Sequence, residues 1–152
     1  MHPFLASYQK LEGKIIDQSP SQAGNWLKGK LIKATHGSVT VAYTVREEMT
    51  NPGKILHGGI MSLMLDEVIG ASNFLTGNEY LMTSINLSVD FLSPARVGDT
   101  VLVTSQLVRE GKNVNHWQAE IRSEAGKLIA KASSNLITTP VKISDLTAPT
   151  KP

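Results

Sequence analysis

The sequence predicts an α+β fold, one long central helix wrapped by a curved antiparallel sheet. Three observations predict it. Residues 51–75 run from turn residues through His57-Gly58-Gly59 into Ile60, Met61, Leu63, Met64, Leu65, Val68, Ile69, Ala71, Phe74 and Leu75. A helix apolar on almost every side is a buried one. Stretches of period two lie before and after it. The later stretches follow one another across short Gly-containing turns, which makes neighbouring strands antiparallel. Because the helix is apolar on more than one side, the sheet has to curl round it.

Each element has its own signal. Over residues 1–27, Phe4, Leu5, Tyr8, Leu11 and Ile15 recur at intervals of three and four, a helix that Gly13 weakens and Ser19-Pro20-Ser21 stops. Residues 30–34 and 38–45 alternate around Thr35-His36-Gly37, a hairpin with His36 as a turn residue. A loop over 46–56 leads into the long helix, and Thr76-Gly77-Asn78 ends it with Gly77 as C-cap. Leu81, Thr83, Ile85, Leu87, Val89 and Phe91 then share one face, and Met82, Ser84, Asn86, Ser88 and Asp90 the other. That pattern predicts a strand with one buried and one polar face. Strands at 100–110, 114–123 and 127–139 are joined around Gly111-Lys112-Asn113 and across Glu124-Ala125-Gly126, with His116 a plain strand residue. Residues 140–152, with three prolines, read as a frayed tail. The expected organisation is an extension over 1–27, a main domain over 28–139 and a flexible tail over 140–152.

Composition bounds the function. A chain of 152 residues is one domain with a sizeable core, and 41% hydrophobic with 18% charged residues suits a globular protein. The absence of cysteine excludes disulfides, thiolate nucleophiles and Cys-based metal sites. It fits a cytoplasmic protein, and the N-terminus carries no signal-peptide pattern. Residues 60–65 are too short an apolar run to span a membrane. The net charge is only +2, and the densest basic group, Lys28, Lys30 and Lys33, reads as a solvated strand edge rather than a nucleic-acid stripe. Neither a nucleic acid nor a membrane is expected as partner. No metal-ligand spacing surrounds His57.

Within the apolar helix, Asp66 and Glu67 need an explanation, since charges are rarely buried unpaired. Gly59, Ser62, Asp66, Gly70 and Asn73 recur at three and four, so they line one narrow stripe of small or polar residues. The stripe reads as a face approached by a ligand, a second backbone or a second subunit. Glu67 lies about 100° further round and is expected to be the solvated charge of the pair.

Asn51-x5-His57-Gly58-Gly59-x6-Asp66, the long strand after it, and Ser93-Pro94-Ala95-Arg96-x-Gly98-Asp99 together resemble the hotdog-fold acyl-CoA thioesterases of the phenylacetate-degradation type, in the four-hydroxybenzoyl-CoA thioesterase superfamily. The resemblance spans residues 28–139. It implies hydrolysis of acyl-CoA, dimers paired edge to edge that often pair again into tetramers, and an active site at the dimer interface. By position, the resemblance implies that Asn51, His57 and Gly58 come from one protomer and Asp66 from the other, and Ser84 matches a residue that in some members helps hold the attacking water. No cofactor is implied beyond the coenzyme A of the substrate.

The chemistry suits these residue types. A thioester needs a base or nucleophile and a donor for the oxyanion; its thiolate leaves without a strong acid. Gly58, at a helix start, presents an unpaired N–H and lets a carbonyl come close. Asp66 serves as general base or as nucleophile, and Asn51 orients the water or donates to the carbonyl oxygen. His57 is expected to tie the loop to the helix rather than to move a proton. Gly59, Met61, Ser62, Leu65 and Ile69, with Phe74, are expected around the acyl group, and Arg96, Lys112 and Lys131 near the phosphates. Two rivals stand beside this reading: an acyl-thioester hydratase or dehydratase of the same fold, and a non-catalytic acyl-CoA-binding module. The spacing of His57 and Asp66 argues against the first, and the presence of Asp66 and Asn51 argues against the second.

Overall fold

The computed structural model describes residues 2–147. The elements run α1 (Pro3–Gln9), α2 (Gln22–Leu27), β1 (Lys30–Thr35), β2 (Ser38–Thr44), a 3-10 turn (Glu47–Met49), α3 (Gly58–Phe74), β3 (Tyr80–Phe91), β4 (Thr100–Arg109), β5 (Val114–Ser123), β6 (Leu128–Lys142) and α4 (Ile143–Thr147). The six strands form one sheet in the order β1-β2-β4-β5-β6-β3, antiparallel throughout. The 17-residue α3, about 25 Å long, lies across its inner face. Met64, Leu65, Val68 and Ile69 of the helix meet Val41, Val101, Val103, Trp117, Ile121 and Leu136 of the sheet, all buried. Each such side chain contributes about 1.5–3 kcal/mol by leaving water.

A polar bolt fixes the far end of α3. Asn73, next to last in the helix, is buried, and its Oδ1 accepts from Trp117 Nε1–H at 3.1 Å and from Asn115 Nδ2–H at 2.9 Å. Asn115 Oδ1 in turn accepts from the Gly111 N–H and so fixes the β4–β5 turn. The stripe reading of Asn73 as an approached residue is therefore corrected: β5 reaches the helix here and draws its side chain inward.

Four further expectations change. The N-terminal helix stops at Gln9, because the chain turns over residues 10–13 and Gly13 takes φ +83°. Residues 13–16 then extend along the free edge of β1, with Gly13 N–H donating to Leu31 O, Leu31 N–H to Lys14 O and Ile16 N–H to Gly29 O. An open strand edge is thereby covered, and Ile15 is 51% exposed instead of lying on a buried helical face. Ser19-Pro20-Ser21 therefore stops no helix; the Ser21 hydroxyl instead caps the start of α2 by accepting from Gly24 N–H. At the end of α3 the cap is Leu75, not Gly77. Gly77, at φ +87°, makes room for the His2 ring, which a Cβ there would strike.

The third strand keeps no single alternation. Ser84 is paired with Leu136, but Asn86 with Asn135, so Ile85 is an extra residue, a β-bulge. Met82 and Ser84 face the helix before it; Leu87 and Val89 pack on the core after it. Ile85 is 59% exposed. Finally, the described part of the expected tail is ordered: β6 runs through Pro140 to Lys142 and Ile143 is buried. Pro140 is tolerated there because residues at the strand's end donate little to the ladder. Residues 148–152 lie outside the described residues.

The Asn73 bolt is testable. Asn73→Ala leaves Trp117 Nε1–H without its acceptor inside the core and should lower unfolding free energy by about 2–3 kcal/mol. Urea denaturation measures it; a midpoint equal to that of the wild type would show that the bolt holds nothing.

Candidate functional site

Gly59, Ser62, Asp66 and Gly70 form the outward strip of α3 in the protomer. Asp66 is exposed, and the Ser84 hydroxyl donates to its Oδ1 at 3.1 Å. The bulge at Ile85 makes this contact possible, since it turns Ser84 toward the helix while Leu87 and Val89 stay on the same side. Ser62 is already engaged: its hydroxyl donates back to Gly58 O at 3.0 Å. Ser84 was placed by the sequence on the polar face, away from the core; the structure puts it on the helix side.

His57 is the N-cap of α3, and its Nδ1 accepts from Gly59 N–H at 2.8 Å. Its own N–H donates to Met49 O. The imidazole is thus a structural cap that satisfies one of the free amides of the helix start. Gly58 N–H has no acceptor among the described residues. A Cβ at Gly58 would lie 3.2 Å from the Phe91 ring, so β3 passes close to the helix start and a larger side chain there would press on that ring. Asn51 closes the preceding loop: its Oδ1 accepts from Gly53 N–H at 2.9 Å and Ile55 N–H at 3.4 Å. With the oxygen occupied, Asn51 has only its amide N–H groups to offer outward. Ile55 bridges to Arg96 in the 93–99 loop, and Leu56 N–H donates to Ala95 O. Asn51, Gly58 and Arg96 therefore share one end of the molecule, and Arg96 is exposed there.

The other expected residues are spread over the protomer. Met61, Leu65 and Ile69 are buried in the helix–sheet core of the protomer. Phe74 stacks on Phe4 with ring centroids 5.0 Å apart, under α1. Lys112 sits in the β4–β5 turn, at the Asn73 end of α3 and so opposite Arg96. Lys131 stands between Asp90 and Glu120 on the outer face of the sheet. Neither lysine joins Gly58 within one protomer. Two surface hollows, one beside Leu102 and Arg122 and one beside Pro94 and Lys127, contain none of the expected catalytic residues. Among the described residues, no three His, Asp or Glu side chains could hold a metal ion, and no helix is long and apolar enough to cross a membrane.

Glu67 is the second correction on the helix. It is half-buried under the N-terminal segment, and its Oε2 accepts from the Ser21 hydroxyl at 3.0 Å. A Cβ at Gly24 would run into its carboxylate. Burial, with a smaller push from Asp66, raises its pKa above 4.5 despite the Ser21 bond. Burial and the Glu67 charge push the Tyr8 hydroxyl up to about 12 and raise Tyr43 as well. Sequence spacing placed Glu67 off the stripe correctly, but only the fold of residues 2–27 shows what covers it.

One helix held in a single curved antiparallel sheet, with its start and its middle presenting polar groups, is the hotdog architecture. Residues 53–130, half of the chain, match the family model described as the Thioesterase superfamily, and the chain belongs to that family. Human acyl-coenzyme A thioesterase 13 is 28% identical over 102 residues, covering 66% of this chain and 73% of the relative. The solved PaaI protein from the phenylacetic acid degradation operon of E. coli is similar with a TM-score of 0.75 at 23% identity, over 80% of this chain and 87% of that one. A Streptococcus mutans protein solved bound to acetyl CoA has a TM-score of 0.71 at 21% identity, over 75% and 90%.

The Glu67 arrangement has a pH signature. A carboxyl whose folded-state pKa is raised contributes stability that is complete below its unfolded value and is lost as pH rises through the folded one. Glu67→Gln should therefore unfold at a higher temperature than the wild type at about pH 8, with the difference gone near pH 4. Calorimetry at the two pH values checks this; a pH-independent difference would contradict it.

Proposed function

We propose that this protein hydrolyses acyl-CoA thioesters to the free acid and coenzyme A, at a site assembled from two protomers. The observation that carries the reading is Asp66, an exposed carboxylate in the middle of a mostly apolar helix, held by the Ser84 hydroxyl. Family membership supports it, as do the name of the human relative and the acetyl CoA bound to the S. mutans protein.

In this reading Asp66 takes a proton from water as the water attacks the thioester carbon, worth ~10²–10⁴-fold, or attacks the carbon itself to form a mixed anhydride that a water molecule hydrolyses to the free acid after the thiolate has left. The Ser84 O–H fixes one carboxylate oxygen and leaves Oδ2 for the reaction. The Gly58 N–H receives the developing oxyanion, a donor worth ~3 kcal/mol. Asn51 Nδ2 donates nearby. Negative charge collapses back, the C–S bond breaks, and the thiolate leaves. Phe91, 55% exposed beside Gly58, offers an apolar wall to the acyl group. Arg96 serves the phosphates of coenzyme A. No cofactor enters the scheme.

The two-protomer requirement follows from helix geometry. Gly58 and Asp66 are eight residues apart on one helix, about 12 Å along its axis at 1.5 Å per residue. One carbonyl carbon cannot lie within reach of both. A two-fold pairing that brings the start of one α3 to the middle of the other resolves this, and β3, at the free edge of the sheet, is the strand available for it.

Asp66→Ala should lower kcat by ~10²–10⁴-fold in a thiol-release assay across short, long and aromatic acyl-CoAs, with fold and oligomer unchanged. Retained wild-type turnover would remove Asp66 from the chemistry. Asp66→Ala and Gly58→Val chains, each inactive alone, should recover about a quarter of wild-type activity when unfolded and refolded together, because half the dimers are hybrids with one intact site. No recovery in proven hybrids would mean that each site lies within one chain.

A further inference from the structure

We infer that Asn86 is a positioning residue for the Ser84–Asp66 pair, acting through the bulge at Ile85. The inference rests on the hydrolase reading above and adds to it a residue that does not touch the reacting atoms. Strand parity makes the bulge necessary. Without it, a strand with Ser84 toward the helix would also turn Asn86, Ser88 and Asp90 inward and expel Leu87 and Val89 from the core. The extra residue lets one strand present a hydroxyl to Asp66 and, three residues later, an apolar side chain to the same face.

A bulge interrupts the ladder and leaves backbone groups to be satisfied. Here side chains replace the missing ladder bonds from both faces of the sheet. On the outer face, Asn86 Oδ1 accepts from the Asn135 N–H at 2.9 Å and from Asn135 Nδ2–H at 3.1 Å. Asn135 Oδ1 is itself 2.8 Å from His116 Nδ1, so β5 braces the clamp. On the inner face, the fully buried Ser134 donates its hydroxyl to Asn86 O at 2.8 Å, and its Oγ lies 3.5 Å from Ser84 Oγ. Asn86 is thus held through its side chain and its carbonyl at once, two residues from Ser84. His116, Asn135, Asn86 and Ser134 form one connected chain across three strands that ends at the hydroxyl on Asp66. The extra residue itself, Ile85, makes no contribution to the core of the protomer, so what the bulge achieves is the direction of Ser84.

The experiment uses the full-length protein and its best acyl-CoA substrate. Asn86→Ala should lower kcat by ~10²-fold, as expected for a misplacement of about 1 Å at a reacting centre, with KM little changed. Asn86→Asp keeps the acceptor oxygen for Asn135 and should restore turnover. Ser84→Ala/Asn86→Ala should be no slower than Ser84→Ala alone, because both changes remove the same contact. Additive losses, or an Asn86→Ala enzyme with wild-type kcat, would overturn the assignment. Ser134→Ala, which removes only the inner half of the clamp, should also lower kcat and carries the test if Asn86→Ala is poorly folded. Hydrogen exchange provides a readout without substrate: the Asn135 amide should lose protection in Asn86→Ala and keep it in Asn86→Asp, at unchanged global stability. Unchanged protection of that amide would overturn the clamp, whereas a wild-type chain that cleaves no thioester overturns the hydrolase reading alone.

Discussion

The seating of α3 on the inner face of the sheet is the constraint from which the other features follow. Its apolar majority is consumed by the core, so that Met61, Leu65 and Ile69 are buried within the protomer. What remains outside is a strip only one residue wide, Gly59, Ser62, Asp66 and Gly70. A carboxylate on such a strip keeps its water while standing on a rigid support. The Asn73–Trp117–Asn115 bolt fixes the helix along its axis at the other end. A buried polar network of this kind stabilises one seating over its neighbours, because any slip would strand donors in a dry interior.

The same seating sets a conflict on β3. The strand must offer apolar side chains to the core near the helix start and a hydroxyl to the helix middle. A period of two cannot do both, and the single added residue at Ile85 resolves it. The groups lost from the ladder are recovered by Asn86, Asn135 and Ser134, polar residues that in a regular strand would have no particular partner. Local irregularity at the sheet edge is therefore coupled to the geometry of the candidate site.

Neighbouring acids on one helix meet opposite fates. Asp66 faces out and is met by Ser84; Glu67, one position on, is roofed by Ser21 and Gly24 of the N-terminal segment and lies near Tyr8 and Tyr43. That segment also closes the edge of β1 through residues 13–16. It is thus an integral cover of the helix's second side, and the burial it imposes raises the pKa of Glu67.

The sequence by itself determined the order of elements, the antiparallel pairing through short turns, the buried long helix and the singling out of Gly58, His57 and Asp66. These follow from periodicity, turn residues and capping, which act between residues close along the chain. That His57 ties the loop to the helix start was legible for the same reason. Only the tertiary structure decided that Asn73 turns inward, that Glu67 is covered, that Ser84 faces the helix, that Lys112 stands at the opposite end of α3 from Gly58, and that Lys131 lies on the outer face of the sheet. Each of those depends on a partner distant in sequence: Trp117 for Asn73, Ser21 for Glu67, Asn135 for the bulge behind Ser84. A pattern of twos and threes specifies which face a residue lies on, but long-range packing specifies what meets that face, and a one-residue bulge reverses the face without altering composition.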